Sequence, residues 1–501
     1  MILKKKFRLL SIALLLPHLF WAQKKEVMES TLKNYKQCLL TKDANLIGGL
    51  VAPDFRLGVY QNPIALPLLR DFLKNVPAPD SIFWDKPQTT AKKKWCNVHY
   101  IVQQKEQISK VFFAANGLLL YSDWLDKKGF NFDRYGQSKQ IGVIPFVYEN
   151  GSIIVKAQLN SNSKVLNMLF DTGADGLALR ADLQNEMGVK ITESRTINVP
   201  GGQMQVNYSE GNTLQVDGFN LQNQSLVLFP KIKPGVDGLI GGANLFRKYI
   251  TEIDFENHQI ILYSFGVNSK FEKYNATSMQ YKNGVPSIPI EVKSKGQTFN
   301  SEFIIDAGAG YQAILFGSGT QQQNETLLHE SLQPLFQTYN YSMANKSPIK
   351  IGLADQINFA GLTFTNASFA VESYDAQKHK EHTVNGSIGI EFLRRFNWVV
   401  DLNSYTFYSQ KNRYTDLPLD FVVGDYLFGY QNETLLVKRY LKSEDGRNTD
   451  ANASLKPGDV IESIQYIKAN VITKNDIIRL QKETELSIHI LRKGKSLEVL
   501  L

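Results

Sequence analysis

Cysteine is nearly absent. Cys38 and Cys96 are the only two among 501 residues, and one potential bridge excludes a disulfide-built scaffold, leaving apolar cores to hold the chain together. A bridge between them and two buried free thiols are both open on the sequence alone. No apolar run reaches the roughly 20 residues that crossing a bilayer takes. The run from Leu9 to Phe20 stops at 12 residues and follows Lys4, Lys5, Lys6 and Arg8, the pattern of a secretory signal. Cleavage is expected after Ala22, with the mature protein exported to the periplasm or the extracellular space and keeping no transmembrane segment. A basic stripe with interleaved aromatics is missing as well. The formal net charge is +8, but four of those charges lie in the leader and the rest are spread thinly, so no nucleic acid is expected as a partner. His379 and His382 stand three apart, as metal ligands can, but inside Lys378-His379-Lys380-Glu381-His382, where the lysines repel a cation. Neither a metal nor a cofactor is expected.

What is present points to a multidomain, mainly β chain. Hydrophobic residues make up 43% and aromatics 11%, as in ordinary globular domains, and the length exceeds what one core supports. Residues 23–135 read as an α+β accessory domain. Val27 to Leu40 is patterned as an amphipathic helix, Asp43-Ala44-Asn45 offers the cap of a second, and Leu66 to Leu73 is a third with Pro67 in its first turn. Cys96, Val98, Tyr100 and Val102 then alternate, and Asn116-Gly117 joins two apolar runs as a hairpin turn. Helices followed by a curved hairpin sheet resemble nuclear-transport-factor-like domains in element order.

From residue 136 the chain repeats itself. Leu169-Phe170-Asp171-Thr172-Gly173-Ala174 is an apolar strand that ends on a carboxylate and a small turn, and Ile304-Ile305-Asp306-Ala307-Gly308-Ala309 is a second copy. Both copies close alike. Asp237-Gly238-Leu239-Ile240-Gly241 and then Ile253-Asp254-Phe255 end the first; Asn385-Gly386-Ser387-Ile388-Gly389 and then Val400-Asp401-Leu402 end the second. Short β runs with frequent glycine turns indicate two all-β lobes, expected at 136–268 and 269–415. Like lobes in tandem suit a pseudo-two-fold axis, which brings equivalent residues together. A carboxylate at the end of a buried strand is costly to ionise, and two of them face to face would share one proton. Asp254 and Asp401 read as structural turn carboxylates.

The run Asp171-Thr172-Gly173-Ala174 resembles the active-site motif of retropepsin-like aspartic peptidases. Leu239-Ile240-Gly241 resembles the apolar-apolar-glycine segment that crosses behind that aspartate. The resemblance extends over both copies and implies two tandem β-barrel lobes with Asp171 and Asp306 as the catalytic pair. Active-site support would come from Thr172, Gly173, Gly308, Gly241 and Gly389, the Thr172 hydroxyl buttressing the strand ends across the lobes. It also implies that Pro200, Gly201 and Gly202 form the tip of a hairpin flap over an extended polypeptide substrate. Ala307 departs from the family pattern, since it stands where a hydroxyl residue is usual and removes half of that buttress. The second lobe shows no evident flap: Gln321 to Phe336 reads as a helical insertion, with Tyr339 to Asn345 the candidate. Gly308 to Ala313 imitates a dinucleotide-binding fingerprint, but Ile314-Leu315-Phe316-Gly317 reads as strand where that motif needs a helix.

Residues 416–501 change style again. Leu455-Lys456-Pro457-Gly458-Asp459-Val460-Ile461 resembles the turn-and-strand signature of bacterial PDZ domains. Lys474 to Glu483 follows as an amphipathic helix, and two alternating runs meet at Lys493-Gly494. That order is similar to the circularly permuted variant found beside peptidases. It implies a peptide ligand that adds as a strand to a sheet edge, with Gly424 and Gly429 near the carboxylate-holding loop. Taken together, the resemblances imply an exported aspartic endopeptidase with PDZ-assisted peptide binding, monomeric about its internal pseudo-two-fold. Two alternatives stay open: a homodimer pairing Asp171 with its own copy, and a peptidase-like scaffold of weak or no activity.

Overall fold

The computed structural model describes residues 26–90, 93–130, 132–149, 151–199, 202–323, 332–341, 346–375, 384–431, 433–441 and 454–501. The chain divides into two units: residues up to 139 together with 265–268, and all the rest.

In the first unit a helix over 26–41 buries Met28, Leu32, Tyr35 and Leu39, the one-face spacing of an amphipathic helix. Asp43 caps the short turn Ala44–Ile47 by accepting from the Asn45 amide at 2.9 Å. The helix Ala65–Asn75 takes Pro67 in its first turn, where no intrahelical donor is lost. An antiparallel sheet follows in the order Ser81–Trp84, Lys94–Val102, Lys105–Phe113, Leu119–Ser122. Tyr35 ties helix to sheet through its hydroxyl, 3.0 Å from Tyr100 Oη and 2.7 Å from Ser122 Oγ. Cys38 and Cys96 are both buried and free, and burial pushes each thiol up to about 12. Residues 136–139 and 265–268, expected in the first lobe, pack with this unit instead. Gln137 bridges to Val267, Ser138 donates to the Val267 carbonyl at 3.0 Å, and the Phe132 and Phe265 rings lie 4.3 Å apart.

The second unit is almost wholly β. Its first lobe orders eight strands as Glu193–Val199, Gly202–Val216, Phe219–Phe229, Leu177–Arg180, Gly238–Gly241, Leu166–Asp171, Ser152–Leu159, Val147–Glu149, and Gly202–Val216 also pairs with Ser152–Leu159. Its second lobe repeats that order as Gln333–Tyr341, Lys346–Phe359, Leu362–Glu372, Ala313–Leu315, Gly386–Gly389, Gln297–Asp306, Val285–Ser294, Gln280–Lys282. Lys346–Phe359 again closes onto Val285–Ser294. This second copy corrects the expected helical insertion. The helix ends at Gln323, residues 324–331 lie outside the described set, and from Gln333 the chain is strand. Gln333–Tyr341 pairs with Lys346–Phe359 as Glu193–Val199 pairs with Gly202–Val216, so each lobe has a long hairpin at this point; the candidate Tyr339 to Asn345 falls at the end of the second one, with 342–345 outside the described residues. A partner strand overrode the local helical preference of a glutamine-rich stretch.

The lobes share a six-stranded sheet ordered Asn275–Ser278, Thr406–Lys411, Phe396–Asp401, Ile250–Asp254, Gln259–Tyr263, Gln140–Pro145. Its central antiparallel pair sets Glu252 opposite Val399, and both of those strands are buried along their whole length. Glu252 is satisfied there by Tyr263, Lys270 and Tyr274 at 2.6, 2.6 and 2.9 Å.

A last sheet runs Phe421–Val423, Tyr426–Gln431, Thr434–Tyr440, Val460–Ile464, Ser487–Arg492, Lys495–Leu500. Its helix Lys474–Leu480 opens with a reciprocal Thr473–Asp476 capping box. Charges fasten this sheet to the second lobe. Arg394 donates to the Tyr430 carbonyl at 2.7 Å and Arg395 to that of Pro418 at 2.8 Å. Lys438 lies 3.5 Å from Glu391 and 3.0 Å from Asp420. Among the described residues no helix is long and apolar enough to cross a membrane.

Candidate active site

Each candidate aspartate ends a strand whose preceding residues point into a lobe core: Met168 and Phe170 in one, Phe303 and Ile305 in the other. Behind each runs the glycine-flanked strand, in parallel register, with Asp171 opposite Gly241 and Asp306 opposite Gly389. Glycine is required at both crossings. A Cβ on Gly241 would stand 2.6 Å from the Ala174 carbonyl oxygen, and one on Gly389 would run into the Tyr311 carbonyl.

Past each strand end the chain turns back on its own carboxylate. Gly173 N donates to Asp171 Oδ1 at 2.8 Å, and Gly308 N donates to Asp306 Oδ1 at 3.1 Å. The two turns meet face to face. A Cβ on Gly173 would lie 2.7 Å from Asp306 Cγ, and one on Gly308 would run into the Asp171 carboxyl. Each acid therefore sits over the other lobe's glycine, within reach of a hydrogen bond to its counterpart. This pairing is internal to one chain.

Thr172 stitches the strand ends. Its buried hydroxyl donates to the Ile305 carbonyl at 2.7 Å and accepts from the Ala307 amide at 2.9 Å. Ala307, fully buried, returns no such bond. The crossing is one-sided, as the sequence anticipates, yet both backbone groups that Thr172 reaches are satisfied.

Burial raises the Asp171 carboxyl above the ordinary range, against the bonds from Gly173 and Asp306. Asp306 is pushed further, first by burial and then by the Asp171 charge. Such a pair titrates as a unit and shares one proton between its members.

Two more groups belong here that the sequence analysis left unused. Ser387 Oγ donates to Asp306 Oδ2 at 3.3 Å, and Asp175 forms an ion pair with Arg247 at 2.8 Å. The Ser387 signal was a mismatch within the repeat, because its counterpart beside Asp171 is Leu239.

Of the flap tip, Pro200 and Gly201 lie outside the described residues. Gly202 opens the second arm, paired with Val199. His379 and His382 are also outside them. After Gly308 the chain enters strand Ala313–Leu315, the opposite of a dinucleotide-binding turn. Asp254 accepts from the Glu256 and Asn257 amides at 3.0 and 3.1 Å, and Asp401 from the Asn403 amide at 2.7 Å; both cap turns.

The C-terminal sheet corrects one expectation. Gly424 does lie in a tight turn, at φ +56, but Gly429 is inside strand Tyr426–Gln431, where a Cβ would press on Asp420 and Lys438. That strand lies inside the sheet. Phe421–Val423 already lies along it in antiparallel register, and Gln481 on the helix side donates to the Val422 carbonyl at 2.9 Å.

Comparison with known proteins bears on the first lobe. A solved structure, the aspartic proteinase from Irpex lacteus, is similar at 14% identity and a TM-score of 0.37, covering 55% of this chain and 98% of its own. No curated protein matches. Residues 155–243 match the family model described as aspartyl protease, and that segment holds Asp171, Thr172, Gly173, the hairpin pairing Glu193–Val199 with Gly202–Val216, and Gly241.

Proposed function

We propose that the protein is an exported aspartic endopeptidase that hydrolyses peptide bonds in extended polypeptides. The observation that carries this is the facing of Asp171 and Asp306 across the Thr172 crossing. The aspartyl protease match over 155–243 supports it. Ionised Asp171 takes a proton from a water held between the acids, and that water attacks the scissile carbonyl. Asp306 lends its proton to the carbonyl oxygen, and the pair then protonates the leaving nitrogen. The flap arms of the two lobes supply main-chain hydrogen bonds to an extended substrate. The C-terminal sheet is a PDZ-type module that takes a peptide as an added strand at its edge. Export follows from the N-terminal leader.

Asp171→Asn is expected to lower cleavage of a mixed fluorogenic peptide pool by about 10³-fold or more, with an unchanged circular dichroism spectrum. A statine-type inhibitor, whose hydroxyl mimics the tetrahedral intermediate, should bind the wild type far more tightly than the variant. Cleavage that persists in Asp171→Asn refutes the assignment. A well-folded wild type that neither cleaves nor binds statine is a peptidase-like scaffold.

A further inference from the structure

The two acids are alike in backbone and unlike in surroundings. Each accepts its own turn's amide, from Gly173 or Gly308. Asp306 has a side-chain donor behind it as well, Ser387 Oγ at 3.3 Å from Oδ2, and among the described residues Asp171 has no serine, threonine or tyrosine in that place. Ser387 is wholly buried in strand Gly386–Gly389, opposite Ile304 in the register that sets Gly389 opposite Asp306. The matching residue of the first lobe, opposite Leu169, is Leu239, which has no donor to offer. A hydroxyl between Gly386 and Ile388 in a fully buried strand is costly to bury unless it is used. Here one end of it meets a carboxylate.

Behind Ser387 stands Tyr311. Burial together with the Asp306 charge holds its hydroxyl protonated far above its usual range, with Ser387 acting in the opposite direction. Its ring packs against the cluster of Ile314, Ile349 and Ala370 with Phe316 and Ile351, so the hydroxyl is held by a fixed aromatic plane rather than by a flexible stem. The first lobe places Asp175 and Gly176 in the corresponding turn, with no aromatic. Asp306–Ser387–Tyr311 is thus a polar line confined to one lobe, the same lobe whose turn has Ala307 in place of a hydroxyl residue.

We propose that Ser387, backed by Tyr311, is a positioning residue for the reaction: it fixes the Asp306 carboxyl through Oδ2 and makes the two acids inequivalent. The inference rests on the peptidase function proposed above. Donation to a carboxylate favours its ionised form. With the hydroxyl gone, Asp306 holds its proton to higher pH, and the alkaline limb of the pH–rate profile moves upward. A group that merely filled space would leave that limb where it was.

The test is the pH dependence of kcat and of kcat/KM for the full chain on the same peptide pool. Ser387→Ala is expected to move the alkaline limb up by about half a unit to one unit and to lower kcat several-fold, with KM within about twofold. Ser387→Thr keeps the hydroxyl and should restore the wild-type limb. Tyr311→Phe keeps the ring packing, so it secures a folded variant, and should shift the limb in the same direction by less. An unmoved limb in active Ser387→Ala and Tyr311→Phe overturns the positioning role and leaves the peptidase assignment standing. A wild type without cleavage overturns the peptidase assignment, and the positioning role with it.

Discussion

Thr172 is the residue whose loss the two lobes are least able to absorb. Valine has its shape without its oxygen, so Thr172→Val leaves the Ile305 carbonyl and the Ala307 amide buried and unpaired. That should cost about 2–4 kcal/mol, read as a lower urea midpoint at constant m, with peptide cleavage falling in parallel. Asp123 is a second sensitive position, in the first unit. Burial and the neighbouring Asp126 raise it to about 7, and its Oδ1 has no partner among the described residues. A carboxyl whose folded value lies above its unfolded value contributes stability below the unfolded value, near pH 4, and loses it as pH rises to about 7. Asp123→Asn should therefore raise the melting midpoint by a few degrees at pH 8 and leave it nearly unchanged at pH 4, which differential scanning at the two pH values checks. The shared proton of Asp171 and Asp306 pulls wild-type stability in the same direction. Its signature differs from that of Asp123, because it moves with the activity profile and Asp123 should not.

At the scale of elements, the doubled motif was legible because it is local. An apolar run, an acid and a glycine turn lie in six consecutive residues, and each copy declares itself. The long hairpin of the second lobe was legible only at its end, Tyr339 to Asn345, and not along its first arm. Gln333–Tyr341 becomes a strand only by pairing with Lys346–Phe359, and no window of sequence contains that partnership together with its eight-stranded context. Phe421–Val423 escaped for another reason, since three residues are too few to display a period. Ser387 was visible as a letter and silent as a function; only its register with Ile304 shows that its hydroxyl faces Asp306. The contact between the C-terminal sheet and the second lobe was hidden likewise, because Glu391, Arg394, Arg395, Asp420 and Lys438 look like solvated charges until they are buried together. Lys438→Met tests that contact. It strips the cation from between Glu391 and Asp420, and an uncompensated buried acid should cost about 3–5 kcal/mol in a urea titration.

At the scale of the second unit, the repeat has been kept in topology and abandoned in chemistry. Strand order, closing pairings and the acid opposite a glycine are common to both lobes. The hydroxyl crossing, the line behind Asp306 and the arginine contacts to the last sheet belong to one lobe each. Such division of labour requires both halves at once, and the sheet they share makes the requirement a matter of timing. Ile250–Asp254 has its neighbour in Phe396–Asp401, a segment the ribosome delivers roughly 140 residues later. At about 5–20 residues per second that is a wait on the order of ten seconds, during which one edge of this five-residue strand has no partner from within the first lobe.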